Sequence, residues 1–225
     1  MNKFAGKTVL GFVKLIIGFG ILLLAPAGTL DFWQAWVYLF VFAASASLIT
    51  AYLWKKDPKL LERRLNAGFR AEKEKSQKLI ILFIFLVFIV AIIFPALDRR
   101  FSWSDVPLSV VIAGDVLVAL GFLITFIALK ENSFAAATIE VAPDQKVIST
   151  GPYAIVRHPY YSGALVMTFG TPLALGSWWG LLMFIPMTFS IVWRLLDEEK
   201  FLSKSLYGYK EYCQKVQYRL VPFIW

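Results

Sequence analysis

Long apolar blocks separated by short polar segments set the pattern of this chain. About six blocks can be marked, and each is close to the roughly 20 residues that a helix needs to cross a hydrocarbon layer about 30 Å thick. They run over Val9–Ala27, Trp33–Trp54, Leu79–Leu97, Pro107–Leu129, Tyr160–Gly176 and Ser177–Trp193. The pattern therefore predicts an all-α fold, a polytopic transmembrane bundle of about six membrane helices.

The blocks divide the chain unevenly. Residues 1–129 hold four predicted membrane helices, whereas residues 130–225 hold a polar loop, a helical hairpin and a polar tail, all within one integral membrane domain, 1–225. Asp115 lies inside the fourth block, about 12 Å from its outer end at 1.5 Å per residue. A charge inside a membrane helix is a functional candidate by default, but this depth favours a packing role in the bundle interior, with the carboxyl buried or protonated.

The polar segment between the second and third blocks carries its own helix signals. Asp57 is a suitable N-cap, Pro58 suits the first helical position, and Arg63, Arg64 and Arg70 are interspersed with leucines. We expect a short basic helix that lies on the membrane surface. The alternative is a solvated, charged connector.

Composition and charge agree with a chain in lipid. Hydrophobic residues make up 59% and charged residues 17%, against roughly 45–50% and 25% in soluble domains. The net charge is +8, and 20 of the basic residues lie in segments on the side of the first residue, against two, Arg99 and Arg100, on the other side. The positive-inside rule then predicts cytoplasmic termini in a prokaryotic inner or plasma membrane, with membrane lipids rather than nucleic acid as partners of the basic charge.

Few residues are available for metal or nucleophile chemistry. The chain has one cysteine, Cys213, and one histidine, His158. These numbers exclude an intramolecular disulfide and any metal site built on several His or Cys ligands, so no metal is expected. A Ser-His-Asp or Cys-His mechanism would have to use the single imidazole.

Unusual polar residues gather at two points of the second half. The run Gly151–Gly163 packs glycines, prolines, tyrosines, an arginine and the histidine into a helix entrance, where irregular backbone is tolerated if it lines a cavity. The alternative is a purely structural role, in which the run is a rigid turn that enters a helix through Pro159. Three consecutive acids follow the last block, and at i,i+4 spacing Arg194 is expected to pair with Glu198, which leaves Glu199 to face inward.

The same residues carry a family resemblance. The motif is Arg157-His158-Pro159-Tyr160-Tyr161-Ser162-Gly163, followed by Asp197-Glu198-Glu199 and by the ending Tyr218-Arg219-Leu220-Val221-Pro222. Over roughly Asn132 to Pro222 the chain resembles the isoprenylcysteine carboxyl methyltransferase family. The first four predicted helices carry no motif of this kind.

The resemblance implies a membrane-embedded methyltransferase that uses S-adenosyl-L-methionine. Its cytoplasmic cofactor pocket would be formed by the polar loop and the C-terminal tail. The cofactor-binding residues that it implies are Gln145, Lys146, Val147, Ile148, Tyr153, Arg157, His158, Pro159, Tyr160, Tyr161, Glu198 and Glu199. Arg194 resembles an arginine that steadies the methyl-accepting carboxylate, so a lipid-like or prenylated substrate, such as a prenylated cysteine, is expected.

Three alternatives stay open at this point. A phospholipid N-methyltransferase would keep the cofactor and change the acceptor to an amine. A membrane reductase of the sterol-reductase type shares the Tyr218-Arg219-x-x-Pro222 ending but uses NADPH, and it would need more basic residues than the loop offers. A non-enzymatic scaffold or small transporter would leave the motif unexplained, and the pattern carries no signal for an oligomer.

Overall fold

The chain folds as a helical bundle. A computed structural model describes residues 3–66, 68, 71–72, 75–142 and 144–225. Its helices are α1 (Lys3–Ala27), α2 (Trp33–Lys56), α3 (Pro58–Leu65), α4 (Lys75–Phe101), α5 (Leu108–Glu131), α6 (Pro159–Ala174), α7 (Phe184–Ser205) and α8 (Tyr209–Lys215), with short 3-10 turns at Gly151–Ala154 and Trp179–Met183. Every regular element in these described ranges is helical, which confirms the predicted all-α class.

Within the described residues, five helical segments are long and apolar enough to cross a membrane. They are Thr8–Ala27, Trp33–Lys56, Ser76–Phe101, Leu108–Glu131 and Trp179–Ser205. The predicted block Tyr160–Gly176 corresponds instead to the 16-residue helix α6, which is about 24 Å long. Gly176, with a φ of +70°, ends this stretch in a tight turn. The bundle is therefore polytopic, with five long apolar helices among the described residues and the shorter helix α6 where one of the six blocks was predicted.

Helices α5 and α6 pack against each other through glycines. A Cβ on Gly121 would lie 2.6 Å from the carbonyl oxygen of Gly163, and a Cβ on Gly114 would lie 2.2 Å from the backbone nitrogen of Ala174. A Cβ on Gly170 would likewise lie 2.8 Å from the carbonyl oxygen of Gly114. Small residues allow membrane helices to approach this closely. The antiparallel contact fixes the start of α6 beside the end of α5.

The predicted short helix between the second and third blocks is present as α3. The Asp57 carboxylate accepts the Leu60 N–H at 2.9 Å and caps the helix. Arg63 donates to the Ser133 carbonyl at 3.1 Å, and Arg64 donates to the hydroxyl of Tyr160. Helix α3 therefore holds the polar loop after α5, while Arg70 lies outside the described residues.

Asp115 is buried between α5 and its neighbours. Its residue exposure is 9%, and Oδ1 has no hydrogen-bond partner among the residues that the structure describes. The adjacent Gly114 contacts α6 directly. This position agrees with the expectation that Asp115 faces the bundle interior.

Candidate functional site

The polar loop before α6 is held by the tail that follows α8. The backbone N–H of Arg157 donates to the Tyr218 carbonyl at 2.9 Å, and the N–H of His158 donates to the Arg219 carbonyl at 3.0 Å. One turn into α6, the Ser162 hydroxyl donates to a further tail carbonyl at 2.6 Å. Loop and tail therefore form one surface, although about 60 residues separate them in the sequence.

Buried tyrosines pack helix α8 against the loop. The hydroxyl of Tyr212 donates to the Tyr153 carbonyl at 2.8 Å. Burial raises the pKa of Tyr153 to about 12 and also raises the pKa of Tyr212 and Tyr209. These side chains therefore stay neutral phenols at physiological pH. Burial also raises the pKa of Cys213, so its thiol stays protonated and is a poor nucleophile.

Glu199 is the carboxylate that joins loop, tail and α7. Its Oε1 lies 2.8 Å from Arg157 Nε and 3.2 Å from His158 Nε2, and its Oε2 accepts from Arg219 Nε at 3.0 Å. Glu199 faces inward as predicted, but the expectation that it stays free of partners is wrong, because three basic side chains converge on it. It can still shape a cofactor site by fixing the groups around it.

The predicted pairing of Arg194 with Glu198 is also wrong. Arg194 donates from Nη2 to the Glu72 carboxylate at 2.7 Å, while Glu198 accepts the hydroxyl of Tyr161 at 2.8 Å. An exposed i,i+4 ion pair contributes only a few tenths of a kcal/mol. Buried partners from another part of the chain therefore decide where each side chain points.

One cavity of about 710 Å³ runs from this polar surface into the bundle. The sequence-predicted site residues on its wall are Gln145, Lys146, Val147, Ile148, Tyr153, Arg157, His158, Tyr160, Tyr161, Arg194 and Glu198. Pro159 starts α6 but is not on the wall. Glu199 is not on the wall either, although its partners Arg157 and His158 are. The cavity volume falls within the roughly 300–1,000 Å³ of small-molecule sites.

The wall changes from polar to apolar along α7. Glu198, Arg194, Ile191, Met187 and Met183 line the cavity in turn, at the three- and four-residue spacing of one helix face. From Arg194 to Met183 the apolar part is about 16 Å deep at 1.5 Å per residue. The cavity thus joins a charged surface to the hydrocarbon depth of the bundle.

The first half of the chain supplies a large part of the apolar wall. Aromatic and aliphatic side chains from α1, α2 and α4 line it, among them Leu15, Phe19, Phe42, Phe85 and Phe88. Tyr38 and Thr171 also line the cavity, and their hydroxyl oxygens lie 3.4 Å apart. The helices that carry no motif therefore shape the part of the cavity that suits an apolar chain.

Comparison with known proteins identifies the family. Residues 109–210 match the family model described as phospholipid methyltransferase. A probable protein-S-isoprenylcysteine O-methyltransferase from Oryza sativa subsp. indica is 31% identical over 137 residues, which cover 60% of this chain and 69% of the relative. The chain belongs to the isoprenylcysteine carboxyl methyltransferase family. It is therefore a membrane methyltransferase.

Two further relatives, one methyltransferase and one reductase, show how far the similarity to each kind of protein extends. Protein-S-isoprenylcysteine O-methyltransferase B from Arabidopsis thaliana is 31% identical over 158 residues, covering 67% of this chain and 75% of that protein. A delta(14)-sterol reductase from Mus musculus is 33% identical over 95 residues, but this covers only 39% of the chain and 22% of the reductase. The likeness to the reductase is thus local, whereas the likeness to the methyltransferases spans most of their length.

Sequence reasoning missed three residues that bear on the site of this family member. Glu72 and Gln77 both contact Arg194, and Arg64 lies over the Tyr160 ring with its guanidinium carbon 4.4 Å from the ring centroid. Glu72 stands in a segment rich in Lys and Arg, and this contrast was the only signal available. Gln77 carries no such signal, because an amide at a helix start is usually exposed.

Proposed function

We propose that this membrane methyltransferase takes its methyl group from S-adenosylmethionine and transfers it to an acceptor with a long apolar chain. The observation that carries the proposal is a continuous cavity with a polar wall at one end and an apolar wall at the other. A charged, water-soluble cofactor suits the polar end. A lipid-like acceptor suits the apolar end, because each buried methylene contributes about 0.8 kcal/mol relative to water.

The chemistry of the polar wall fits S-adenosylmethionine. Glu198 and the Tyr161 hydroxyl offer a carboxylate and a hydrogen-bonding group for ribose or the amino group. Neutral tyrosine rings suit adenine and the sulfonium. We assign its binding to Gln145, Lys146, Val147, Ile148, Tyr153, Arg157, His158, Pro159, Tyr160, Tyr161, Glu198 and Glu199. Glu199 would act through Arg157 and His158, which it holds in place.

The residues of the chain would act mainly by positioning. S-adenosylmethionine supplies an electrophilic methyl group when it is bound. Transfer then requires a dry site that holds the acceptor atom in line with that methyl. A carboxylate acceptor needs no general base, which agrees with the single histidine being engaged by Glu199 at 3.2 Å. Arg194, buried on the wall between the polar and apolar parts, would orient the acceptor.

The apolar depth sets the expected length of the acceptor. An extended chain advances about 1.2 Å per bond, because three backbone bonds span about 3.6 Å. The depth of about 16 Å below Arg194 then takes about 13 bonds. Prenyl or acyl chains of about this length are the acceptors that we propose, with their carboxylate beside Arg194.

A phospholipid amine is the second candidate acceptor. Glu72 lies 2.7 Å from Arg194 and offsets its charge, so the wall beside Arg194 is less cationic than an isolated arginine would make it. The family model for residues 109–210 also carries the name phospholipid methyltransferase. An amine acceptor would need no attraction from Arg194, and this separates the two candidates.

Calorimetric titration of the purified protein in detergent tests the donor. We expect binding of S-adenosylmethionine and none of NADPH, because the loop Lys130–Pro159 contains only three Lys and Arg residues, Lys130, Lys146 and Arg157, and a 2′-phosphate would call for more. A screen with labelled cofactor over S-prenylcysteines, fatty acids and phosphatidylethanolamine then tests the acceptor. Methylation of the amine alone would replace the carboxylate proposal, and binding of NADPH alone would overturn the donor.

We further propose that both termini face the cytoplasm, because basic residues crowd the segments on that side. Single cysteines at Arg99 and Lys59, in a Cys213→Ser background, check this orientation. A membrane-impermeant maleimide added to intact cells should label position 99 and leave position 59 unlabelled until the cells are opened. Labelling of position 59 alone would reverse the proposed orientation.

A further inference from the structure

A buried ion pair connects the two halves of the chain at the cavity. Arg194 is 5% exposed and Glu72 is 3% exposed, and Arg194 Nη2 lies 2.7 Å from Glu72 Oε1. Removing two charges from water costs several kcal/mol per ion, and their attraction often does little more than offset this. Stability alone is thus a weak reason for the pair, and its place on the cavity wall suggests a role in function.

The partners of Arg194 fix the plane of its guanidinium. Nη1 donates to Gln77 Oε1 at 2.5 Å, and Nη2 donates to the Ala137 carbonyl at 3.0 Å as well as to Glu72. These three hydrogen bonds to the two Nη atoms leave the guanidinium little freedom to rotate. The guanidinium has five N–H donors, so two remain beyond these three bonds, and the Tyr161 hydroxyl on the same cavity wall also interacts with Arg194.

Glu72 and Gln77 are held in turn by their own neighbours. Glu72 Oε2 accepts the backbone N–H of Ile139 at 3.3 Å, and Gln77, which is 1% exposed, donates from Nε2 to the Asp197 carboxylate. The Ser76 hydroxyl donates to the same carboxylate at 3.1 Å. The start of α4, the loop after α5 and helix α7 therefore meet around one guanidinium.

We propose that Glu72, together with Gln77, is a positioning residue that fixes the Arg194 guanidinium in the cavity wall for the methyl acceptor. This inference rests on the proposed function, since Arg194 is the group that would contact the acceptor. Glu72 also offsets the charge of Arg194, so Arg194 orients the acceptor by directed hydrogen bonds more than by net charge. Under this proposal, the first half of the chain contributes residues that position Arg194 as well as side chains of the apolar cavity wall.

Steady-state kinetics of Glu72→Gln with S-farnesylcysteine as acceptor test the inference. We expect kcat to fall about 10- to 150-fold, the range for one lost charged hydrogen bond. The KM for the acceptor should stay constant or fall. Loss of the Glu72 carboxylate makes the surroundings of Arg194 more positive, which favours binding of a carboxylate acceptor. Affinity for S-adenosylmethionine should change less than about threefold. Glu62→Gln, which removes an exposed carboxylate on α3, is the matched control and should turn over normally.

A double-variant cycle distinguishes positioning from a structural role. If Glu72 acts through Arg194, adding Glu72→Gln to Arg194→Lys should lower kcat no further than Arg194→Lys does alone. A purely structural role would lower kcat by the same factor in both backgrounds, with matching losses in cofactor affinity and thermal stability. Gln77→Met, which removes a neutral partner of similar size, provides a second measurement if Glu72→Gln folds poorly, and its kcat should also fall.

The two proposals can fail separately. If the wild-type protein methylates S-farnesylcysteine and Glu72→Gln keeps its kcat, or the effects in the cycle are additive, only the positioning role is overturned. If the wild-type protein binds no S-adenosylmethionine and methylates nothing, the proposed function fails. Because the positioning role rests on that function, it is then overturned with it, and turnover of S-farnesylcysteine by the wild-type protein distinguishes the two failures.

Discussion

Replacing Gly121 with alanine is expected to lower the unfolding midpoint of the protein in detergent sharply. The added Cβ would lie 2.6 Å from the carbonyl oxygen of Gly163 and 2.7 Å from the backbone nitrogen of Met167. Backbone atoms cannot rotate out of the way as a side chain can, so α5 and α6 would have to move apart. Overpacking of this kind costs about 1–3 kcal/mol and sometimes more.

Gly18 provides the matched control for this substitution. It lies within α1, and a Cβ added there meets no atom within 4 Å. Alanine is favoured over glycine inside a helix by roughly 0.5–1 kcal/mol, so Gly18→Ala should keep or raise the midpoint. Equal midpoints for the two variants would contradict the close packing of α5 and α6. Because α6 begins at the polar loop, Gly121→Ala should also weaken cofactor binding.

Replacing Glu199 with alanine is expected to reduce affinity for S-adenosylmethionine by about 10- to 150-fold. One lost charged hydrogen bond accounts for about 1.5–3 kcal/mol, and Glu199 binds Arg157, His158 and Arg219 together. Without the carboxylate, Arg157 and Arg219 would lose their shared counter-ion, and His158 would lose its partner. Calorimetric titration measures the loss, with Glu211→Ala, an exposed acid on α8, as the control that should bind normally.

A companion variant separates two ways in which Glu199 could act. If Glu199 only holds its neighbours, Arg219→Gln should weaken cofactor binding as well, because it removes the bond to Oε2 at 3.0 Å. If Glu199 contacts the cofactor directly, Arg219→Gln should have a much smaller effect than Glu199→Ala. Unchanged affinity in both variants would remove this cluster from the cofactor site.

The apolar blocks were enough to predict the class of fold, because the membrane imposes helices of a certain length. The block Tyr160–Gly176 corresponds to the 16-residue helix α6, which is not among the five long apolar helices. This block contains Gly163 and Gly170, which fit a close contact with α5, and it ends at a glycine with positive φ. Hydrophobicity alone does not distinguish a helix that crosses the membrane from a shorter one that packs against a neighbour.

The candidate site was predicted where residues close in sequence form it. The motif around His158 and the acid Glu198 do line one cavity. The partners of Arg194 were not predicted, since Glu72 and Gln77 are more than 100 residues away and no local pattern signals such a contact. The i,i+4 spacing of ion pairs on one helix predicted Glu198 as the partner of Arg194. This prediction failed because the rule does not consider buried partners from distant parts of the sequence.

The pairing of the loop with the tail also sets an order of assembly during synthesis. Tyr218 and Arg219 leave the ribosome about 60 residues after Arg157 and His158, to which they hydrogen-bond through the backbone. At about 5–20 residues per second, this interval lasts about 3–12 s. Helices α6 and α7 are complete before it ends, so they can enter the membrane while the polar surface is still open. A nascent chain that ends before Tyr218 therefore lacks the surface formed by loop and tail, which is completed only after α6 and α7 have been synthesised.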